Sequence, residues 1–234
     1  MGKCLFITGT GTDVGKTYIT ALIIKKLRDS GRNAGYYKAA ISGAEKDNFG
    51  KLLPGDAVYV NEFSNLNEDI SRLVSYVYLE AVSPHLAANL NNRQISLKKI
   101  EHDFLTAANR HDFLTMEGSG GIICPLRWDS EKHLGLDDLV KYLGLSVLIV
   151  ASAGLGTINS AVLTVEYLKS RNIPIKGFVL NQFHFGNIME EDNKIMIEEM
   201  TKIPVIAVVQ ENDKELDINA DFLAGLYDDI QKEI

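Results

Sequence analysis

A chain of 234 residues and 25.9 kDa lies within the range reached by one α/β sheet with helices on both faces, so a single domain spanning 1–234 is expected. Hydrophobic residues at 46% and charged residues at 24% exclude a disordered or collagenous chain, and two cysteines are too few for a disulfide-framed secreted miniprotein. With 24 Lys and Arg against 31 Asp and Glu, net charge −7, a phosphodiester backbone finds no general electrostatic grip.

In chain order, residues 3–8 form a short apolar run ending in glycines, and 18–27 carry apolar residues at helical spacing closed by Ser30-Gly31. Strand-like runs follow at 33–38, 113–117 and 146–151, the last (SVLIVA) apolar almost throughout, as in a parallel strand covered on both faces. Helical patterns fall at 97–108, 136–143, 158–171 and 188–201, with further strands at 175–181 and 204–209. This alternation predicts a doubly wound, mainly parallel sheet with right-handed crossovers and helices on both faces. Cys4 and Cys124 read as small core residues, and the long connections 41–54 and 118–133 are punctuated by glycine. No run approaches the roughly 20 apolar residues of a membrane span, and no cationic leader precedes the first strand, which points to a cytoplasmic protein.

The most informative segment is Gly9-Thr10-Gly11-Thr12-Asp13-Val14-Gly15-Lys16-Thr17, placed after a strand and opening a helix. Glycines let backbone N–H groups turn toward phosphate oxygens, the helix N-terminus adds partial positive charge, Lys16 reaches the β and γ phosphates, and Thr17 offers a hydroxyl to Mg²⁺. Five residues separate Gly9 from Gly15 where the strict phosphate loop has four, so this is a variant of the P-loop NTPase pattern.

A Mg-nucleotide site also requires carboxylates. Glu117 ends a strand-like run and is backed by Gly118-Ser119-Gly120-Gly121, which puts it at a strand's C-terminal tip, where α/β sheets place their ligands. Asp56, in Pro54-Gly55-Asp56-Ala57, reads equally as a metal ligand or as the N-cap of the helix beginning there. Lys38 ends a strand-like run and by pattern alone reads as a surface lysine, although a lysine off a strand's C-terminal edge can also hold developing negative charge.

These segments occur in order with Tyr37-Lys38-Ala39-Ala40-Ile41-Ser42-Gly43, Gly55-Asp56-Ala57, Ser83-Pro84-His85, Gly154-Leu155-Gly156-Thr157-Ile158-Asn159 and Val179-Leu180-Asn181. The ordered set resembles the dethiobiotin synthetases over nearly the whole chain. The resemblance implies an enzyme that takes 7,8-diaminononanoate, CO₂ and ATP with Mg²⁺, forms a carbamate, phosphorylates it and closes a ureido ring. It implies that Lys16 and Lys38 hold phosphate and carbamate oxygens, with Thr12 and Ser42 as hydroxyls on the substrate side and Gly118 beside the substrate. It also implies that Thr17, Asp56 and Glu117 hold Mg²⁺ directly or through water.

By the same resemblance, Asp13, Val14, Gly15, Lys16, Thr17, Tyr18, Gly118, Ser119 and Gly120 surround the nucleotide, Asn181 reads adenine with Gln182 beside it, and Val209, Gln210 and Glu211 form a second nucleotide-contacting loop. Gly156, Thr157 and Asn159 open a helix whose N-terminus, in a homodimer, would hold the substrate carboxylate across the interface. Departures from the family pattern are Asp13 for Glu, Ala39 for Pro, Ser119 for Ala, and the missing proline near Val209; none removes a charged group. His85 reads as positioning a helix on the substrate side, and Trp128, the single tryptophan, as a packing plug at the sheet edge.

Two other readings stand beside this one. A nucleotide-dependent switch or partitioning ATPase typically carries a second lysine early in its phosphate loop, where this chain has Thr10, Gly11 and Thr12. A cobyrinate-type amide ligase normally carries an added glutaminase domain, for which this chain is too short.

Overall fold

The computed structural model describes residues 2–230. Its elements in chain order are β1 (Lys3–Gly9), α1 (Lys16–Asp29), β2 (Ala34–Ile41), β3 (Glu45–Lys46), β4 (Leu52–Leu53), α2 (Gly55–Phe63), β5 (Val74–Val77), α3 (Pro84–Leu90), α4 (Leu97–Ala108) and β6 (Phe113–Gly121). They continue with β7 (Pro125–Trp128), β8 (His133–Gly135), α5 (Leu136–Leu143), β9 (Val147–Ser152), α6 (Thr157–Ser170), β10 (Ile175–Asn181), α7 (Ile188–Thr201), β11 (Val205–Val209), α8 (Ala220–Ala224) and β12 (Asp228–Asp229).

The sheet runs β11-β10-β9-β1-β6-β2-β5 with every neighbour parallel, and β12 adds one short antiparallel pairing to the start of β1. Alternation along the strands splits the core in two. Cys4, Phe6, Tyr37, Leu114, Met116 and Ile149 turn to the face covered by α3 to α7. Leu5, Ile7, Tyr36, Leu148 and Val150 turn to the face covered by α1, α2 and α8. This is the doubly wound layering expected from the alternating pattern.

The structure moves several boundaries. The 33–38 run extends to Ile41, which places Lys38 inside β2 rather than at its end. Residues 113–117 extend to Gly121, because the side-chain-free backbone at the glycines keeps pairing and Gly9 stands opposite Gly121 beyond an irregularity in register. Glu117 is therefore interior to β6. The long connections 41–54 and 118–133 contain the hairpin strands β3, β4 and β7, and β5 at the sheet edge has too few residues to give a periodic signal. Trp128 is 54% exposed on the β7–β8 hairpin and stacks on His133 at 4.2 Å, so it is not a packing plug. Cys4 and Cys124 are both buried and free, as read from the sequence. Among the described residues no helix is long and apolar enough to cross a membrane.

One close approach fixes β2, the strand on which the site depends. A Cβ on Gly35 would stand 2.2 Å from Cδ2 of His111. That ring cannot step aside, because Nδ1 lies 3.1 Å from Asn33 Oδ1 and Nε2 lies 2.8 Å from Glu68 Oε1. Gly35→Ala is expected to destabilise the fold by about 1–3 kcal/mol through overpacking, read as a lower urea midpoint at unchanged slope. A variant as stable as the parent would refute this account of the contact.

Candidate active site

The backbone between β1 and α1 turns through Asp13 and Gly15, both at positive φ (59° and 92°). Gly15 caps α1 in the left-handed region, and a Cβ there would stand 2.1 Å from Asn181 Nδ2. Only glycine satisfies both conditions. Lys16 and Thr17 then open α1, whose first turn holds no acidic residue and whose last turn holds Lys26 and Arg28, so the helix dipole is complemented at its C-terminus and free to meet an anion at its N-terminus.

Sheet register supplies the next pair. Lys38 in β2 and Glu117 in β6 are partners in adjoining parallel strands, so both side chains leave the same face, toward α1 and α2. Lys38 Nζ lies 2.7 Å from Glu117 Oε1 and 2.6 Å from Asp56 Oδ2. Thr17 Oγ1 donates to Glu117 Oε1 at 2.8 Å, and the Tyr36 hydroxyl donates to Oε2 at 2.9 Å. Asp56 sits in the first turn of α2; the N-cap position belongs to Pro54, and Asp56 caps nothing but reaches across to Lys38. Lys38 is only 4% exposed and Glu117 1%, so the surface reading of Lys38 fails. The signal missed was its i+2 relation to Tyr36, which puts it on a buried face.

Burial pulls the Lys38 ammonium toward neutrality, but the Glu117 and Asp56 carboxylates more than offset this and hold it above its ordinary value. Burial opposes the Asp56 charge, and Lys38, Thr17 and Lys16 together bring its carboxyl below the usual range. Lys16 moves the other way: burial and the neighbouring Lys38 charge lower it despite Glu117, Asp56 and Asp13. Its ammonium donates to the Gly11 carbonyl at 2.9 Å. Two cations and two anions thus share one low-dielectric pocket, with the glycine loop as its floor.

Around them opens a cleft of about 480 Å³, lined by Thr12, Asp13, Gly15, Lys16, Thr17, Tyr18, Lys38, Asp56, Tyr59, Glu117 and Gly120. That volume suits a nucleotide-sized ligand. The arrangement offers a helix N-terminus, two ammonium groups and oxygen ligands together, as a phosphoryl-transfer site demands.

A family model described as an AAA domain matches residues 3–217. The ATP-dependent dethiobiotin synthetase BioD of Clostridium botulinum strain 657 is 49% identical over 230 residues, covering 98% of this chain and 100% of the relative. That of strain Alaska E43 is 48% identical over 228 residues, covering 97% and 99%. This chain belongs to the ATP-dependent dethiobiotin synthetase family. Among solved structures, the MinC:MinD cell division complex of Aquifex aeolicus aligns with a TM-score of 0.57 at 16% identity, over 96% of this chain and 86% of that one. A ParA family ATPase from Chlorobium tepidum aligns at 0.55 with 14% identity, over 91% and 86%. At such identities the likeness is one of fold, a P-loop NTPase sheet.

For a dethiobiotin synthetase the remaining residues are distributed as follows. Asn181 ends β10 and donates from Nδ2 to the Val14 carbonyl at 3.1 Å, while its Oδ1 is buried without a partner among the described residues. Gln182 follows at positive φ (57°), and Val209 lies opposite Asn181 in register. Gln210 N–H donates to Asp213, whose carbonyl accepts from the Tyr18 hydroxyl at 2.5 Å, so the loop carrying Gln210 and Glu211 is tied to α1.

Ser119 Oγ donates to the Ala40 carbonyl at 2.8 Å, a link between β6 and β2 that depends on the serine hydroxyl. A Cβ on Gly118 would stand 2.8 Å from the Phe6 ring. Ser42 stands just beyond β2, and neither it nor Gly156, Thr157 or Asn159 lines the cleft. Gly156 caps α6 at positive φ, and Thr157 Oγ1 is buried without a partner among the described residues. Sequence reasoning missed Tyr36 and Tyr59. Tyr36 was detectable from strand alternation with Lys38, whereas Tyr59 depends on how α2 packs.

Proposed function

We propose that the Lys16, Thr17, Lys38, Asp56 and Glu117 cluster is the site at which this dethiobiotin synthetase, an ATP-dependent ligase, closes the ureido ring of dethiobiotin from 7,8-diaminononanoate and CO₂. The observation that carries this reading is the buried Lys38 between Asp56 and Glu117, two strands from the one that leads into the phosphate loop: the two carboxylates keep its ammonium charged inside the cleft that Lys16 also lines.

In the reaction, one substrate amine adds CO₂ to give a carbamate and releases a proton. A carbamate oxygen attacks the γ-phosphorus of ATP and ADP leaves. The second amine then attacks the carbamoyl carbon, phosphate departs, and the ring closes. The chain's residues manage charge throughout. Lys16 and the loop amides bind the phosphates, Lys38 holds the carbamate and γ-phosphate oxygens, and Thr12 on the cleft wall with Ser42 just beyond β2 supplies hydroxyls on the substrate side. Asn181, with an unpartnered Oδ1 and a donating amide group, is equipped to read an exocyclic amine beside a ring nitrogen, which supports its place at adenine.

The donor set also fits Mg²⁺. Thr17 Oγ1, Glu117 and Asp56 supply one hydroxyl and two carboxylates gathered at one spot, the oxygen ligands a small hard cation accepts alongside substrate phosphates and water. Bound there, the metal would neutralise phosphate charge.

The proposal extends to one domain, a cytoplasmic location and a homodimer whose shared face includes the N-terminus of α6. The α6 reading is supported by the orphaned Thr157 hydroxyl and by Leu155, 91% exposed just before the cap, a poor residue to leave in water.

A phosphate-release assay tests the function. Release is expected only when 7,8-diaminononanoate and bicarbonate are both present, to be abolished by EDTA and restored by Mg²⁺. Release indifferent to the diamine would instead assign the chain to the switch ATPases.

A further inference from the structure

Glu117 is fully buried, yet its two oxygens live differently. Oε1 faces Thr17 and Lys38 at 2.8 and 2.7 Å, toward the cleft. Oε2 points into the core and accepts from Tyr36, whose side chain is fully buried. Strand register produces this contact: Tyr36 stands opposite Thr115, and Glu117 is two residues further along the same strand and on the same face. The terminal torsion of a glutamate is broad and nearly two-fold, so a fixed donor on the second oxygen narrows the range of carboxylate planes that the Thr17 and Lys38 bonds to Oε1 leave open. The Tyr36 ring is wedged between the sheet and the packed face beneath α1 and α2, so its hydroxyl is a fixed donor.

We infer that Tyr36 is a positioning residue: its hydroxyl holds Oε2 of Glu117 in the core, so that the carboxylate presents Oε1 alone to Thr17, Lys38 and a divalent cation. The inference rests on reading this cluster as the metal-nucleotide site. Its consequence is a one-oxygen carboxylate ligand, which suits a small octahedral ion and disfavours larger ions that take carboxylates through both oxygens.

The test is equilibrium binding of a nonhydrolysable ATP analogue to the full chain with and without Mg²⁺, alongside a thermal melt. In the parent protein Mg²⁺ is expected to tighten analogue binding. In Tyr36→Phe that metal-dependent gain is expected to shrink on the order of tenfold, with metal-free affinity unchanged. In a Glu117→Gln background Tyr36→Phe should alter the gain no further, since the two act as one unit.

A gain in Tyr36→Phe equal to that of the parent overturns the inference, as does equal loss with and without metal, which marks general loosening. A parent protein that shows no gain at all overturns the reading of the cluster itself, a separate failure. Should Tyr36→Phe not fold, the parent answers by metal substitution: Ca²⁺ should support analogue binding on the order of tenfold less well than Mg²⁺, and equal support overturns the inference.

Discussion

Lys38→Ala is expected to lower kcat/KM for dethiobiotin formation about a thousandfold, equivalent to about 4 kcal/mol of transition-state stabilisation. Two separate effects combine in this number. Lys38 is the ammonium that pairs with both Asp56 and Glu117, so on the proposed reading its loss removes the positive charge that would hold the reacting anions. Its loss also leaves the buried Glu117 carboxylate with only neutral donors, Thr17 and Tyr36. Breaking a buried ion pair from one side typically costs about 3–5 kcal/mol of stability, and those two hydroxyls should keep this case near the lower figure.

Lys38→Ala with Glu117→Gln separates the contributions. The double variant should regain most of the lost stability, seen as a recovered melting temperature, while turnover stays low. If Lys38→Ala keeps its rate within a few-fold of the parent, the carbamate role of Lys38 is wrong. If stability fails to recover in the double variant, the ion-pair account is wrong.

How much of this was legible in the sequence depended on the range of the interaction. The phosphate loop is local: its glycines, lysine and threonine are adjacent in the chain, and the strand before it and helix after it carry strong periodicity, so its place followed from a few residues. Helices α4, α5 and α7 were likewise set by their own amphipathic spacing, down to their ends at Leu97–Ala108, Leu136–Leu143 and Ile188–Thr201.

The pairing of Lys38 with Glu117 is different in kind. It arises from β2 and β6 being neighbours in register across 79 positions of sequence, and no local pattern encodes strand order. Hence by local pattern Lys38 reads as a solvated lysine and Asp56 equally as a metal ligand or a cap, when sheet order buries the first and the second reaches toward it. Trp128 failed for the opposite reason. A lone tryptophan suggests a packing plug at the sheet edge, but it lies in a short hairpin whose exposed face no pattern predicts. The family resemblance grouped Lys38, Asp56 and Glu117 where local physics left them ambiguous, because it carries long-range pairing implicitly, and the structure does bring these three side chains together.

Lys16→Ala should lower kcat for ATP-dependent ring closure about a thousandfold while raising the KM for ATP far less. The split follows from where the ground-state grip lies. On the proposed reading, backbone amides of the glycine loop and the N-terminus of α1 would bind triphosphate whether or not the lysine is present. The ammonium matters most when charge moves onto the bridging and terminal oxygens as the γ-phosphoryl transfers.

Lys16→Arg should not restore turnover. Lys16 is buried and its head donates to the Gly11 carbonyl at 2.9 Å. A planar guanidinium fork is wider than the compact ammonium seated there. The reading predicts that both variants lose kcat with a nearly constant affinity for a nonhydrolysable analogue. A variant that lost only analogue affinity, with kcat at saturating ATP intact, would place Lys16 in ground-state binding and remove it from the transferring phosphoryl group.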